Sequence, residues 1–108
     1  MTTKYIGLLM YDLPSQTILD SKNYRRFRKF LIKKGYYQLQ ESVYIIKSNT
    51  KEYIENIENL ISIHSNNDDA SIRSLILTED QFLKMKILSG IPSFGEELLK
   101  GKKRLLEY

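Results

Sequence analysis

Apolar and polar positions along the chain change their period several times, and each change marks an element. Tyr5-Ile6-Gly7-Leu8-Leu9-Met10-Tyr11 is short and almost wholly apolar, which reads as a buried strand. Pro14 ends it, removing a ladder donor and pushing Leu13 toward an extended or turn geometry. Tyr24, Phe27, Phe30 and Leu31 then recur at helical spacing. Asp20 or Ser21 can N-cap that helix, which runs to about Lys34 and closes at Gly35. Tyr36 to Gln40 and Ser42 to Ile46 predict two strands, or one bent pair, around Gln40-Glu41. Asn49 with Glu52 resembles a capping box for a second helix, Thr50 to about Ile63. That helix turns Ile54, Ile57 and Ile61 inward and Glu52, Glu55 and Glu58 outward. After a polar turn at Ser65 to Asp69, Ala70 to Thr78 reads as a strand and Thr78-Glu79-Asp80 as the start of a short helical turn. Lys86 to Ser89 predicts a short terminal strand, whose Ile87 and Leu88 are expected to extend the sheet of a second protomer, and a charged tail begins at Ile91.

The order β-α-β-β-α-β is the ferredoxin-like arrangement of an α+β protein, with two helices on one face of a four-stranded antiparallel sheet. Residues 1–90 form that domain, and residues 91–108 are a tail whose Phe94, Leu98, Leu99, Leu105 and Leu106 suit docking to a partner. The first strand is apolar on both alternations: Ile6, Leu8 and Met10 on one, Tyr5, Leu9 and Tyr11 on the other. One helical layer buries only one of these faces. Sheet-to-sheet homodimerisation is the simplest way to bury the second.

Composition narrows the classes. A chain of 108 residues is one domain whose core is adequate but marginal alone. It has no cysteine, which excludes disulfides, thiolate metal sites and a Cys nucleophile. There is no secretory pattern at the N-terminus, and the apolar run is too short to span a bilayer, so a cytoplasmic protein with no membrane partner is expected. The net charge of +4 is unevenly spread: residues 1–50 carry nine Lys/Arg against three acidic groups, while residues 51–95 carry four against seven. Basic character this local suggests a surface that faces a polyanion.

Candidate chemistry is sparse. Asp12, at the carboxyl end of a buried strand, either binds a cation, caps the following turn or does chemistry. There is no Gly-rich phosphate loop and no His-Glu-x-x-His pattern. His64, the only histidine, ends the second helix, where an imidazolium favourably meets the helix dipole. Asp68 and Asp69 sit in a standard polar turn. Lys22, Arg25, Arg26 and Lys29 crowd the start of the first helix. They make either the solvated face of an amphipathic helix or a phosphate-binding surface suited to the planar fork of arginine.

Four stretches together resemble the CRISPR-associated Cas-two family, the small partner of the Cas-one integrase. They are Leu9-Met10-Tyr11-Asp12-Leu13-Pro14, the helix Tyr24 to Leu31, the segment Gly35 to Tyr44 with its Gln-Glu-Ser-Val-Tyr wording, and Leu77-Thr78-Glu79-Asp80-Gln81-Phe82. The helix and the third stretch are most similar to members from type II systems. The resemblance implies a ferredoxin-like homodimer with a magnesium-dependent endonuclease-type site, manganese being an alternative ion. It implies that Asp12 is the catalytic and metal-binding aspartate. Its implied partners are the Cas-one integrase and a double-stranded DNA prespacer, bridged for spacer acquisition. The loop Ser15 to Ile18 lacks the basic residues of many relatives, so backbone contacts fall to Lys22, Arg25, Arg26 and Lys29. Two other readings are a free-standing metal-dependent endonuclease of the toxin-like interferase kind and a non-catalytic RNA-binding module. Gly35-Tyr36-Tyr37 lacks the rest of the RNA-recognition pattern, which ranks the last reading lowest.

Overall fold

In a computed structural model, residues 3–13, 17–64 and 71–92 are described. The elements are β1 (Tyr5–Asp12), α1 (Ile18–Lys34), β2 (Tyr37–Gln40), β3 (Val43–Ser48), α2 (Lys51–His64), β4 (Ser71–Thr78) and α3 (Glu79–Leu83). The strands form one sheet in the order β2-β3-β1-β4 with every pairing antiparallel. This is the ferredoxin-like order expected from the sequence. Among the described residues no helix is long and apolar enough to cross a membrane.

Both long helices cover one face. Leu9 and Tyr11 of β1 and Tyr44 and Ile46 of β3 meet Leu31 of α1 and Ile54, Ile57 and Ile61 of α2. Gly7 is required here: a Cβ would lie 2.8 Å from Ile54 Cγ2 and 2.9 Å from Ile46 Cγ2. On the opposite face, α3 folds back so that Phe82 covers Ile6 and Ile45, with Leu8, Leu39 and Leu77 around them. Part of the second face is therefore buried within the chain itself. Beyond Phe82 that face stays open, with Met10 38% and Leu75 51% exposed.

The caps differ from the sequence expectation. Helix α1 starts at Ile18, earlier than an Asp20 or Ser21 cap would allow. Thr17 is the N-cap, and Asp20 is its N3 partner in a reciprocal capping box, with Asp20 N–H to Thr17 Oγ1 at 3.0 Å and Thr17 N–H to Asp20 Oδ2 at 3.1 Å. Gly35 closes α1 in the left-handed region at φ 108°, as expected. At α2, Thr50 Oγ1 accepts from Tyr53 N–H at 3.3 Å. Because the helix begins at Lys51, Asn49 lies one residue before the cap position, and its Oδ1 accepts from Lys4 Nζ at 2.7 Å. Thr78 and Gln81 form a second capping box, on α3.

The short C-terminal strand expected at Lys86 to Ser89 does not form in the single chain. A strand needs a ladder partner, and this stretch has none among the described residues; Met85 N–H instead donates to the Phe82 carbonyl at 3.0 Å. Ile87 and Leu88 stand 42% and 92% exposed. The polar turn with Asp68 and Asp69, the loop residues Pro14 to Gln16 and the tail from Ser93 lie outside the described residues.

Candidate metal and nucleic-acid site

The end of β1 is held firmly from both sides. Pairing with β4 continues to Asp12, opposite Ser71, whereas pairing with β3 stops at Met10, opposite Val43. Past that point Tyr11 N–H donates to the Ser42 carbonyl at 3.0 Å. The same β2–β3 turn is gripped at the Glu41 carbonyl by the Tyr24 hydroxyl at 3.3 Å and Gln38 Nε2 at 3.4 Å. The Tyr11 ring packs edge-on to Phe27 at 4.9 Å and Tyr24 at 5.8 Å, and stacks on Tyr44 at 5.7 Å. Burial, and then the neighbouring hydroxyls of Tyr24 and Tyr44, push the Tyr11 phenol well above its ordinary range.

Successive strand side chains alternate between faces. With Tyr11 buried under the helices, Asp12 belongs with Ile6, Leu8 and Met10 on the opposite, open face, and it is exposed. Its carboxylate is thus carried on stiff backbone at the rim of an apolar surface. Among the described residues no three His, Cys, Asp or Glu side chains come together as a metal cluster. Asp12 thus stands at this rim outside any such cluster of described residues. That fits magnesium, which takes few protein ligands and keeps its waters, and not a closed protein cage.

The basic residues separate into two groups. Lys22, Arg25, Arg26 and Lys29 are all exposed and, spaced i, i+3, i+4 and i+7, form one stripe along α1. Because the helix begins at Ile18, Arg25 and Arg26 lie in its third turn, roughly 10 Å along the axis from its free amides. The stripe therefore lies along the helix flank and not at the helix end. Arg28 turns the other way, and its Nε donates to the Tyr44 hydroxyl at 3.1 Å. Sequence spacing does not separate Arg28 from its neighbours; only the placement of Tyr44 on the helix side of β3 does. His64 is the last residue of α2, as expected.

A four-stranded antiparallel sheet with two helices on one face, an exposed strand-end aspartate on the other and a cationic helix flank places the chain among small ferredoxin-like α+β proteins. Residues 4–85 match the family model of the CRISPR associated protein Cas2. A Campylobacter jejuni protein named CRISPR-associated endoribonuclease Cas2 is 41% identical over 95 residues, covering 84% of this chain and 63% of that protein. The chain thus spans less than two thirds of that relative's length. The proteins of the same name from Acidovorax ebreus and Streptococcus mutans serotype c are 36% and 37% identical, with 87% and 77% of their lengths covered. The chain belongs to the CRISPR-associated Cas2 family.

Proposed function

We propose that the protein works as a homodimer in CRISPR adaptation. Its two Asp12 carboxylates form a hydrated magnesium- or manganese-dependent phosphodiester endonuclease site, and its α1 stripe grips the backbone of a short DNA duplex between Cas-one integrase subunits. The observation that carries this reading is the position of Asp12, on rigid strand at the edge of an apolar sheet face that one protomer leaves open. Covering that face with a second copy buries Leu8, Met10 and Leu75 and brings two Asp12 side chains toward one axis. When bound, the ion supplies positive charge to a phosphoryl oxygen and lowers the pKa of water. Asp12 anchors the ion, and Lys22, Arg25, Arg26 and Lys29 hold phosphates without reading bases. The names of the relatives favour RNA as the strand that is cut.

The test is Asp12→Asn, which keeps size and removes charge. Magnesium-dependent cleavage of single-stranded RNA should vanish while the far-UV spectrum and dimer mass persist. Undiminished cleavage by the purified variant would place the chemistry elsewhere. Retained duplex binding together with lost cleavage would separate the scaffolding role from the chemistry.

A further inference from the structure

A cavity of about 630 Å³ opens where β1 begins, β3 ends and α2 starts. The eight residues of β1 put it roughly 25 Å from Asp12, at the other end of the sheet. Its wall carries two cations, Lys4 and Lys47, the polar run from Ser48 to Thr50, and the rings of Tyr37 and Tyr53. Among the described residues no carboxylate lines it. A volume of this order accommodates a small polar ligand.

The wall is held in place before any ligand arrives. The Lys4 carbonyl accepts from Glu79 N–H at 2.9 Å, and its ammonium donates to Asn49 at 2.7 Å, which leaves two of its three donors for another acceptor. Lys47 is steadied by Glu79, which stands outside the lining. Thr50 N–H donates to Ser48 Oγ at 3.1 Å, fixing the turn into α2. The Tyr53 hydroxyl donates to the Lys34 carbonyl at 3.2 Å, so the ring is tethered while 47% of the residue stays exposed; Tyr37 is 43% exposed. Oriented ammonium groups beside two half-open aromatic rings, that of Tyr53 tethered, match a ligand with an anionic end and a flat end.

We propose that this cavity binds a nucleotide unit, with its phosphate at Lys4 and Lys47 and its base against Tyr53 and Tyr37. The unit is a free nucleoside monophosphate or the end of a single strand. A duplex keeps its bases stacked inside and presents no base face here. Neither a metal ion nor Asp12 takes part, so this site stands apart from the nuclease reading.

The experiment is amide NMR titration of the full chain in EDTA with AMP, a 5′-phosphorylated single-stranded tetranucleotide and inorganic phosphate. Saturable shifts at Asn49 to Tyr53 are expected with one or both nucleotide probes; AMP alone sufficing identifies a free nucleotide, and the tetranucleotide alone identifies a strand end. Lys4→Ala should weaken that binding about tenfold by removing a charge-assisted hydrogen bond. Tyr53→Leu should weaken the nucleotide probes roughly fivefold or more and leave inorganic phosphate unchanged, while Tyr53→Phe keeps the ring and the binding. Asp12→Asn should change none of these values. Shifts confined to the α1 stripe, or equal affinity in wild type and Lys4→Ala, would overturn the assignment.

Discussion

Replacing Arg25 and Arg26 together by Ala tests whether the α1 stripe is a backbone-binding surface or only a solvated helix face. Both side chains are exposed on the flank of α1. Every phosphate that a B-DNA complex no longer neutralises reduces the slope of log affinity against log salt by about 0.9, so the double variant should flatten it by about 1.8. The weakening should be uniform across DNA sequences, because phosphates carry no base information. Stability should stay within about 0.5 kcal/mol of wild type, the usual range for exposed positions. Arg28→Ala is the internal contrast. Its Nε donates to the hydroxyl of Tyr44, a fully buried residue, and losing this charge-assisted bond costs about 1.5–3 kcal/mol. At this size that lowers the melting temperature by several degrees at the least. Fluorescence anisotropy with a labelled duplex at four or five salt concentrations, alongside thermal melts, reads both quantities. An unchanged slope in the double variant would refute the assignment and move the DNA elsewhere, the basic tail around Lys102, Lys103 and Arg104 being the next surface to test.

Three further outcomes follow from the packing. Gly7→Ala puts a methyl against Ile54 and Ile46 and should cost about 1–3 kcal/mol by thermal melt, with partial recovery on adding Ile54→Leu, which removes the crowded Cγ2 branch; an unchanged melting temperature would contradict the close approach. Leu75→Glu, on the open face, should leave the fold intact but convert a dimer to a monomer by light scattering, and a dimer surviving it would show that this face is not the interface. Burial first, then the nearby Glu58 and Tyr53, push the Tyr36 phenol up from 10.0 to about 12. The folded state therefore holds this proton after the unfolded chain releases it. Tyr36 thus favours folding fully below pH 10, and that contribution is lost as the pH rises to 12, a change of about 3 kcal/mol at roughly 1.4 kcal/mol per pH unit. Tyr36→Phe should weaken the alkaline dependence in urea titrations at pH 9 to 11.5, and an identical dependence in the variant would refute the linkage.

Local pattern decides what is legible in the sequence. The two-sided apolar character of β1, the isoleucine stripe of α2, the αL glycine at Gly35 and the strand-ending Asp12 all follow from period and punctuation, and all stand where expected. The departures arise where the deciding contact lies outside the local pattern. Asn49 has the composition of an N-cap, but the helix begins one residue later than expected, at Lys51, so Thr50 caps it while the Asn49 oxygen accepts from Lys4, 45 residues away. Thr17 is hard to pick out as a cap because Asp20 satisfies the same rule three residues on, where it serves instead as the N3 partner. Phe82 is a lone aromatic in a five-residue helix, so nothing in its period indicates that it covers Ile6 and Ile45. Lys86 to Ser89 has strand-like composition, and the ladder partner expected for it belongs to a second protomer, so within the single chain it stays unpaired among the described residues.

The coverage by Phe82 also bears on how Asp12 can work. Helix α3 seals the face at the Ile6 end and leaves Met10 and Leu75 open toward the Asp12 end. The unburied apolar surface is therefore next to Asp12, the carboxylate proposed to take a hard cation. A monomer would hold magnesium through a single exposed carboxylate, competing with water on every side, and would bind it weakly. In the proposed dimer, a second copy on the same surface would exclude water from the apolar part and double the carboxylates at its rim. The apolar patch and the aspartate thus share one physical requirement. Leu75→Glu contains no change to any proposed ligand or to the α1 stripe, yet it should abolish magnesium-dependent cleavage through the interface alone. A monomeric Leu75→Glu protein that cleaved normally would show that each Asp12 acts by itself.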